Sequence, residues 1–133
     1  MERRDEDRPV HALRHRLAQD RLDRRDLDGK PRLIAGGIRV TDPAIDLPVL
    51  CALISSLEDV VIPAAHCFAG EVGLSGEIRS VTRLEQRILE AERLGFHKIY
   101  LSKFHAKSLD FKPKHIEIFP VGDISQLYDS MFV

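Results

Sequence analysis

The sequence of 133 residues has little cysteine, no long apolar stretch and almost no net charge. Its two cysteines, Cys51 and Cys67, lie in apolar surroundings, so we expect buried thiols rather than a disulfide or a metal pair. No apolar run approaches the roughly 20 residues of a membrane-spanning helix, and the first 32 residues lack the apolar core of a signal peptide. We therefore expect a cytoplasmic protein without membrane contact.

The sequence also lacks the phosphate-binding motif G-x-x-x-x-G-K-[ST] and any C-x-x-C pair. Its histidines are dispersed without the spacing of metal ligands. We therefore expect no metal site and no cofactor in this chain, which excludes ATP, Mg²⁺ and Zn²⁺. The formal net charge of −1 excludes a strongly basic nucleic-acid-binding domain but is compatible with a local basic patch.

The composition changes near Leu33. Residues 1–32 consist mostly of arginine and aspartate with scattered leucines, and they predict a poorly ordered segment or a frayed helix. The alternative is an arginine-rich arm that binds phosphate groups. The interleaved aspartates, however, cancel much of the positive electrostatic potential of these arginines. Residues 33–133 are less charged and predict a single domain.

Alternating strand and helix patterns run through residues 33–133. Strands are predicted at 33–40, 66–72, 77–81, 97–102 and 115–121, and helices at 44–57, 83–95 and 123–132. Strands alternating with helices predict an α+β fold in an α/β two-layer arrangement.

The helix ends and faces can also be predicted. Thr41 or Asp42 is expected to cap the first helix, and Thr82 the second, which Gly95 ends. The first helix is expected to bury Ile45, Val49, Ala52, Leu53 and Leu57. The second is expected to bury Leu84, Ile88, Ala91 and Leu94.

Two stretches carry a family resemblance: LIAGGIRVTDPAIDLPVLCALISSL and FAGEVGLSGEIRSVTRLEQRILEAERLGF. They resemble the C-terminal Lon-protease-like domain of the bacterial RadA (Sms) DNA repair proteins, and the resemblance covers 33–133. It implies a Lon proteolytic-domain-like fold, truncated at its N-terminal side. It also implies a hexameric ring platform that contacts DNA, single-stranded or branched, during recombination and repair. The ATPase core of that branch-migration motor is absent from this chain.

Lon-type peptidases are similar in the same two stretches and use a serine–lysine dyad. The resemblance places the serine at Ala44 and the lysine at Arg87. Alanine has no nucleophile, and arginine stays protonated and cannot accept the hydroxyl proton. The sequence therefore predicts no catalytic residue and no enzymatic activity.

Basic residues near the emptied dyad are the candidates for nucleic-acid contact. Arginine matches phosphate oxygens with planar donors, and the resemblance favours this role over ion pairing with nearby glutamates. Tyr100 and Phe104 are interleaved with the later lysines, either to stack bases or to pack in the core. Two other functions stay open: a purely structural oligomerisation module, and a Lon-type serine peptidase with a displaced nucleophile. The candidates for nucleic-acid contact are Arg79, Arg83, Arg87, Lys98, Lys103 and Lys107.

Overall fold

The computed structural model describes residues 41–131 and the backbone of two strands within 33–40. The chain divides into two units, residues 1–42 and residues 43–133. The predicted poor order of residues 1–32 lies outside the described residues.

The first unit contains a β-hairpin where the sequence predicts one strand. Strand β1 (Leu33–Ala35) pairs antiparallel with β2 (Ile38–Val40), and Leu33 is opposite Val40. The two residues between the strands are Gly-Gly, a dipeptide favoured in two-residue hairpin connections. The prediction of one continuous strand is therefore wrong.

The second unit combines parallel and antiparallel strands with helices, which confirms the α+β class. A three-stranded parallel sheet has the order β3-β6-β7, and β4 and β5 form a separate antiparallel hairpin. In chain order its elements are a 3-10 turn (Pro43–Ile45), α1 (Asp46–Glu58), β3 (His66–Ala69), β4 (Glu71–Val72), β5 (Ile78–Arg79), α2 (Leu84–Arg93), β6 (Lys98–Ser102), α3 (Lys103–Ala106), β7 (Glu117–Val121) and α4 (Ile124–Met131).

The parallel sheet separates two sets of side chains because successive residues of a strand point to opposite faces. One face carries a row of aromatic rings in register: Phe68 stacks on Tyr100 with ring centroids 5.1 Å apart, and Phe119 follows at 5.0 Å. The other face packs against the buried stripe of α2. That cluster includes Ala69, Ile99 and Leu101 from the sheet and Leu84, Ile88 and Ala91 from the helix.

Helix α1 buries a different face from the predicted one. Its buried residues are Leu47, Leu50, Cys51 and Ile54, which follow the helical spacing, whereas Leu57 is exposed. This helix is apolar on several sides, so periodicity alone does not choose its inward face. A tertiary contact fixes the rotation, because the N–H group of Leu47 donates to the Gly70 carbonyl at 3.0 Å.

The predicted helix caps are also wrong. Ile45 precedes α1 and Arg83 precedes α2, and neither side chain makes a capping hydrogen bond. Gly95 follows α2 with φ +90°, as predicted for a terminating glycine, but Leu94 lies beyond the last helical turn and is exposed.

Candidate functional site

Ala44, the predicted serine position, is a structural residue. It lies in the 3-10 turn before α1 and is 5% exposed. Its carbonyl accepts a hydrogen bond from the N–H of Gly70 at 3.2 Å, and its methyl group belongs to the cluster that contains Leu84 and Ile88. The position therefore holds α1 against the end of β3 and offers no nucleophile.

Arg87, the predicted lysine position, lies on α2. Its Nε atom donates to the Thr82 carbonyl at 2.8 Å. A guanidinium group carries five donors and no acceptor, so it cannot take a proton from a hydroxyl group. The Arg87 guanidinium group can instead bind an anion or fix the residues that precede α2.

Three serine hydroxyls are bound to backbone carbonyls rather than to a base. Those of Ser55, Ser108 and Ser130 donate to the carbonyls of Val60, His105 and Leu127. The Ser102 hydroxyl is buried and has no hydrogen-bond partner among the described residues.

A groove of about 450 Å³ runs between β3 and α2, and we call it the β3–α2 groove. The arginine pair Arg83 and Arg87, predicted from their spacing on one helix face, both line it. Its remaining lining residues are mainly apolar: Cys67, Phe68, Ala69, Gln86, Glu90, Ala91, Leu94, Phe96 and Ile99.

Arg83 occupies a strained backbone position at this groove. Its φ of 56° and ψ of 38° lie in the left-handed region, which non-glycine residues adopt rarely and at a cost of roughly 1–3 kcal/mol. Such outliers cluster at functional sites. The side chain is exposed and lies where the chain turns into α2.

Arg79 is committed to an ion pair. Its Nη2 and Nε atoms donate to the Glu77 carboxylate at 2.6 and 3.1 Å, and this carboxylate also accepts the N–H of Ser75 at 3.1 Å. The pKa of Glu77 is lowered first by a hydrogen bond from its own backbone N–H and then by the hydrogen bond from Arg79, although the group is exposed. The network braces the β4–β5 hairpin, which supports the ion-pair interpretation at this position.

Lys98 lies apart from the other predicted lysines. It occupies the start of β6, whereas Lys103 follows the end of that strand, roughly 13–17 Å away along an extended chain. Its Nζ atom is 3.5 Å from a Glu117 carboxylate oxygen and 5.2 Å from the centroid of the Phe119 ring. Tyr100, on the same strand, is 3% exposed and belongs to the core.

Lys103 and Lys107 lie instead on a lysine-rich segment, residues 103–116, which begins with the short helix α3 and which we call the lysine loop. Lys112 and Lys114 extend the same segment, and all four lysines are exposed. Asp110 is the only acidic residue of this range in the sequence. The loop therefore forms a local basic surface on a chain of balanced charge.

Three apolar side chains hold the lysine loop in place, namely Ala106, Leu109 and Phe111, which pack against the α2 cluster. The Glu92 carboxylate adds a polar anchor by accepting the N–H groups of His115 at 2.7 Å and Ile116 at 3.2 Å. These hydrogen bonds lower the pKa of Glu92. The lysines are thus displayed on an anchored loop.

Phe104 stands out on this surface because it is 62% exposed. The Lys103 Nζ atom lies 5.2 Å from its ring centroid, which is a cation–π distance. Lys112 and Lys114 were missed from sequence, although the K-P-K spacing carries the signal. Glu92 gives no such signal, because its partners are backbone groups more than 20 residues away.

Both cysteines are free thiols; Cys51 is buried, as predicted, whereas Cys67 is only half-buried. Burial raises the pKa of Cys51 to about 12 and that of Cys67 to about 11. In the described residues, no three histidine, cysteine or acidic side chains form a group that could hold a metal ion. No helix of the described part combines the length and apolar character needed to cross a membrane.

The strands and helices form an α+β fold, and the comparison with known protein families shows that its class is the Lon-type proteolytic domain. Residues 18–132 match the family described as the Lon protease (S16) C-terminal proteolytic domain, and the chain belongs to that family. The match begins at residue 18, which lies within the segment 1–32 that is rich in arginine and aspartate.

Relatives of this chain include DNA repair proteins named RadA. It is 45% identical over 98 residues to RadA from Streptococcus pneumoniae, covering 74% of this chain and 23% of the relative. It is 43% identical over 95 residues to RadA from Bacillus subtilis, covering 70% and 20%. RadA from Rickettsia prowazekii is 43% identical over 94 residues, covering 71% and 20%. The resemblance to the RadA proteins is confirmed, and the chain spans about a fifth of their length.

Proposed function

We propose that this chain is the non-catalytic Lon-like scaffold domain of a RadA-type protein in DNA recombination and repair, where it assembles into a ring and contacts DNA. The replacement of both dyad residues carries the non-catalytic part of the proposal. Ala44 is buried in the core without a reactive group, and Arg87 is a permanent cation bound to a backbone carbonyl. The domain acts in the cytoplasm and needs no cofactor or metal of its own.

The lysine loop supports the DNA contact. Lys103, Lys107, Lys112 and Lys114 are exposed on a segment that is fixed by apolar anchors and by Glu92, and phosphate contacts of this kind dominate nucleic-acid affinity. The exposed ring of Phe104 beside Lys103 adds a surface on which a base can stack. Single-stranded DNA is the form that offers unstacked bases to such a ring.

The arginines and Lys98 contribute less to this contact. Arg79 and Lys98 already pair with Glu77 and Glu117. Arg83 and Arg87 line the β3–α2 groove.

Charge reversal at the lysine loop tests the DNA contact. The double variant Lys103→Glu/Lys107→Glu is titrated against a fluorescent oligonucleotide by anisotropy over a range of salt concentrations. The logarithm of the binding constant falls linearly with the logarithm of the salt concentration, and each phosphate contact with a single strand adds about 0.7 to the steepness of that line. Because the variant loses two such contacts, we expect the steepness to fall by about 1.4. Arg93→Glu, which reverses an exposed arginine paired with Glu90, is the matched control and keeps the slope.

A parallel titration of Arg83→Glu/Arg87→Glu tests the arginine prediction. If the salt dependence of DNA binding becomes weaker only in this variant, the DNA contact lies at the groove and not at the lysine loop. If the unmodified chain does not bind the oligonucleotide, or binds it independently of salt, the DNA contact is refuted. A purely structural module is then the function.

A further inference from the structure

The lysine loop begins where two parallel strands end side by side. Ser102 and Val121 are partners in the register of β6 and β7, and they are the last residues of these strands. Lys103 and Gly122 each follow directly in the chain. The first lysine of the loop therefore lies beside a residue that has no side chain.

The Lys103 side chain occupies the space that a side chain at position 122 would need. A Cβ atom on Gly122 would lie 2.8 Å from Cε, 2.9 Å from Nζ and 3.1 Å from Cδ of Lys103. These three lysine atoms are the nearest ones to that Cβ position. The aliphatic stem of Lys103 therefore lies across Gly122, and only glycine leaves room for it.

Gly122 cannot move away from this contact, because its backbone is held on both sides. Its N–H donates to Oε1 of Gln126 at 2.8 Å, and its carbonyl accepts the N–H of Ile78 at 2.9 Å. Gly122 is buried, whereas Lys103 is exposed. A methyl group at position 122 would therefore displace the lysine side chain and not the backbone.

The stem of Lys103 places its ammonium group beside the Phe104 ring. The Nζ atom lies 5.2 Å from the ring centroid, whereas the ammonium group of Lys98 is paired with Glu117. A lysine side chain loses rotamer freedom when it binds a phosphate group, and a side chain that is already confined loses less. Confinement on Gly122 therefore favours phosphate binding by Lys103.

We propose that Gly122 is a positioning residue for the DNA contact of the lysine loop and acts by holding Lys103. This inference rests on the DNA contact proposed above and adds to it a residue that itself touches no DNA. A phosphate group and the neighbouring base then meet an ammonium group and an aromatic ring that are already in place.

The variant Gly122→Ala tests this role in the oligonucleotide titration, at one low salt concentration. We expect its dissociation constant to be about two- to tenfold higher than that of the unmodified chain, the effect of leaving one long side chain to be ordered on binding. Urea denaturation of the same variant should show a nearly unchanged stability, because the displaced end of Lys103 swings into solvent.

Two lysine variants identify the residue through which Gly122 acts. In Lys103→Gln, the added Gly122→Ala change should leave the dissociation constant unaltered. In Lys107→Gln, it should raise the dissociation constant by the same factor as in the unmodified chain. Lys107 is the matched control, because it is an exposed lysine of the same loop and none of its atoms is among the three nearest to the Cβ position at Gly122. An equal loss of affinity in both backgrounds overturns the inference.

The remaining outcomes separate this inference from the DNA contact itself. If Lys103→Glu/Lys107→Glu weakens the salt dependence but Gly122→Ala binds like the unmodified chain, the DNA contact stands and Gly122 has no positioning role. If the unmodified chain does not bind the oligonucleotide, both are overturned. A Gly122→Ala chain that is unfolded or strongly destabilised also overturns the inference, because the methyl group would then meet more than the end of a flexible lysine.

Discussion

Gly70 lies where β3 meets the β4–β5 hairpin, and the structure predicts the cost of adding one methyl group there. A Cβ atom at this position would lie 3.0 Å from Cγ2 of Ile78 and 3.1 Å from Cδ2 of Leu47. Ile78 is 1% exposed and Leu47 is fully buried, so neither side chain can move aside into solvent. Overpacking of this kind costs about 1–3 kcal/mol.

We therefore expect Gly70→Ala to be destabilised by about 2 kcal/mol, which lowers the melting temperature by roughly 8 °C for a chain of this size. Thermal and urea denaturation followed by circular dichroism measure the loss at a fixed protein concentration. The hydrogen bonds of Gly70 to Ala44 and Leu47 use backbone atoms that the variant retains. The loss therefore reports side-chain packing.

Gly122→Ala is the matched control. Its Cβ atom would lie 2.8 Å from Cε of Lys103, the far part of a flexible and exposed side chain that can swing away. We expect a change within about 0.5 kcal/mol, as for most surface substitutions. If Gly70→Ala is as stable as Gly122→Ala, then α1, β3 and the hairpin do not meet as described.

Two further predictions concern single side chains. Asp59 ends α1 with φ 53°, so Asp59→Gly should stabilise the chain by up to about 1 kcal/mol. Asp110→Gly, at a residue without a positive φ, should not stabilise it, and urea denaturation compares the two variants. Because the pKa of Glu92 is lowered from its ordinary 4.5, its stabilising effect is present above that pH and is lost as the pH falls through the folded-state value. Glu92→Gln should therefore be less stable than the unmodified chain at pH 7, and the difference should shrink below about pH 4. Equal stability at pH 7 would contradict the anchoring role, and Glu85→Gln is the control.

Much of the second unit could be predicted from the sequence because its elements have distinct patterns. Short apolar runs bounded by glycine or polar residues correspond to β3, β6 and β7, and the strong apolar stripe of α2 identifies its buried face. Helix α1 shows the limit of such reasoning, because apolar residues surround it. Hydrogen bonds from Leu47 to Gly70 and from Val72 to Asp46 select its orientation, and both are long-range contacts.

The candidate surfaces were predictable only in part. Spacing of four residues placed Arg83 and Arg87 together, and the structure puts both at one groove. Sequence proximity misled for Lys98, because an extended strand carries it away from Lys103. The left-handed backbone of Arg83 could not be predicted, since arginine has no preference for that conformation.

Labelling with a fluorophosphonate, a reagent that reacts with activated serines, tests whether this domain is non-catalytic. The full chain is incubated with the reagent beside an active serine peptidase, and intact mass spectrometry detects adducts. With alanine at position 44 and arginine at position 87, we expect no adduct on this chain while the peptidase is fully labelled. A stoichiometric adduct on any serine, together with degradation of casein, would contradict it.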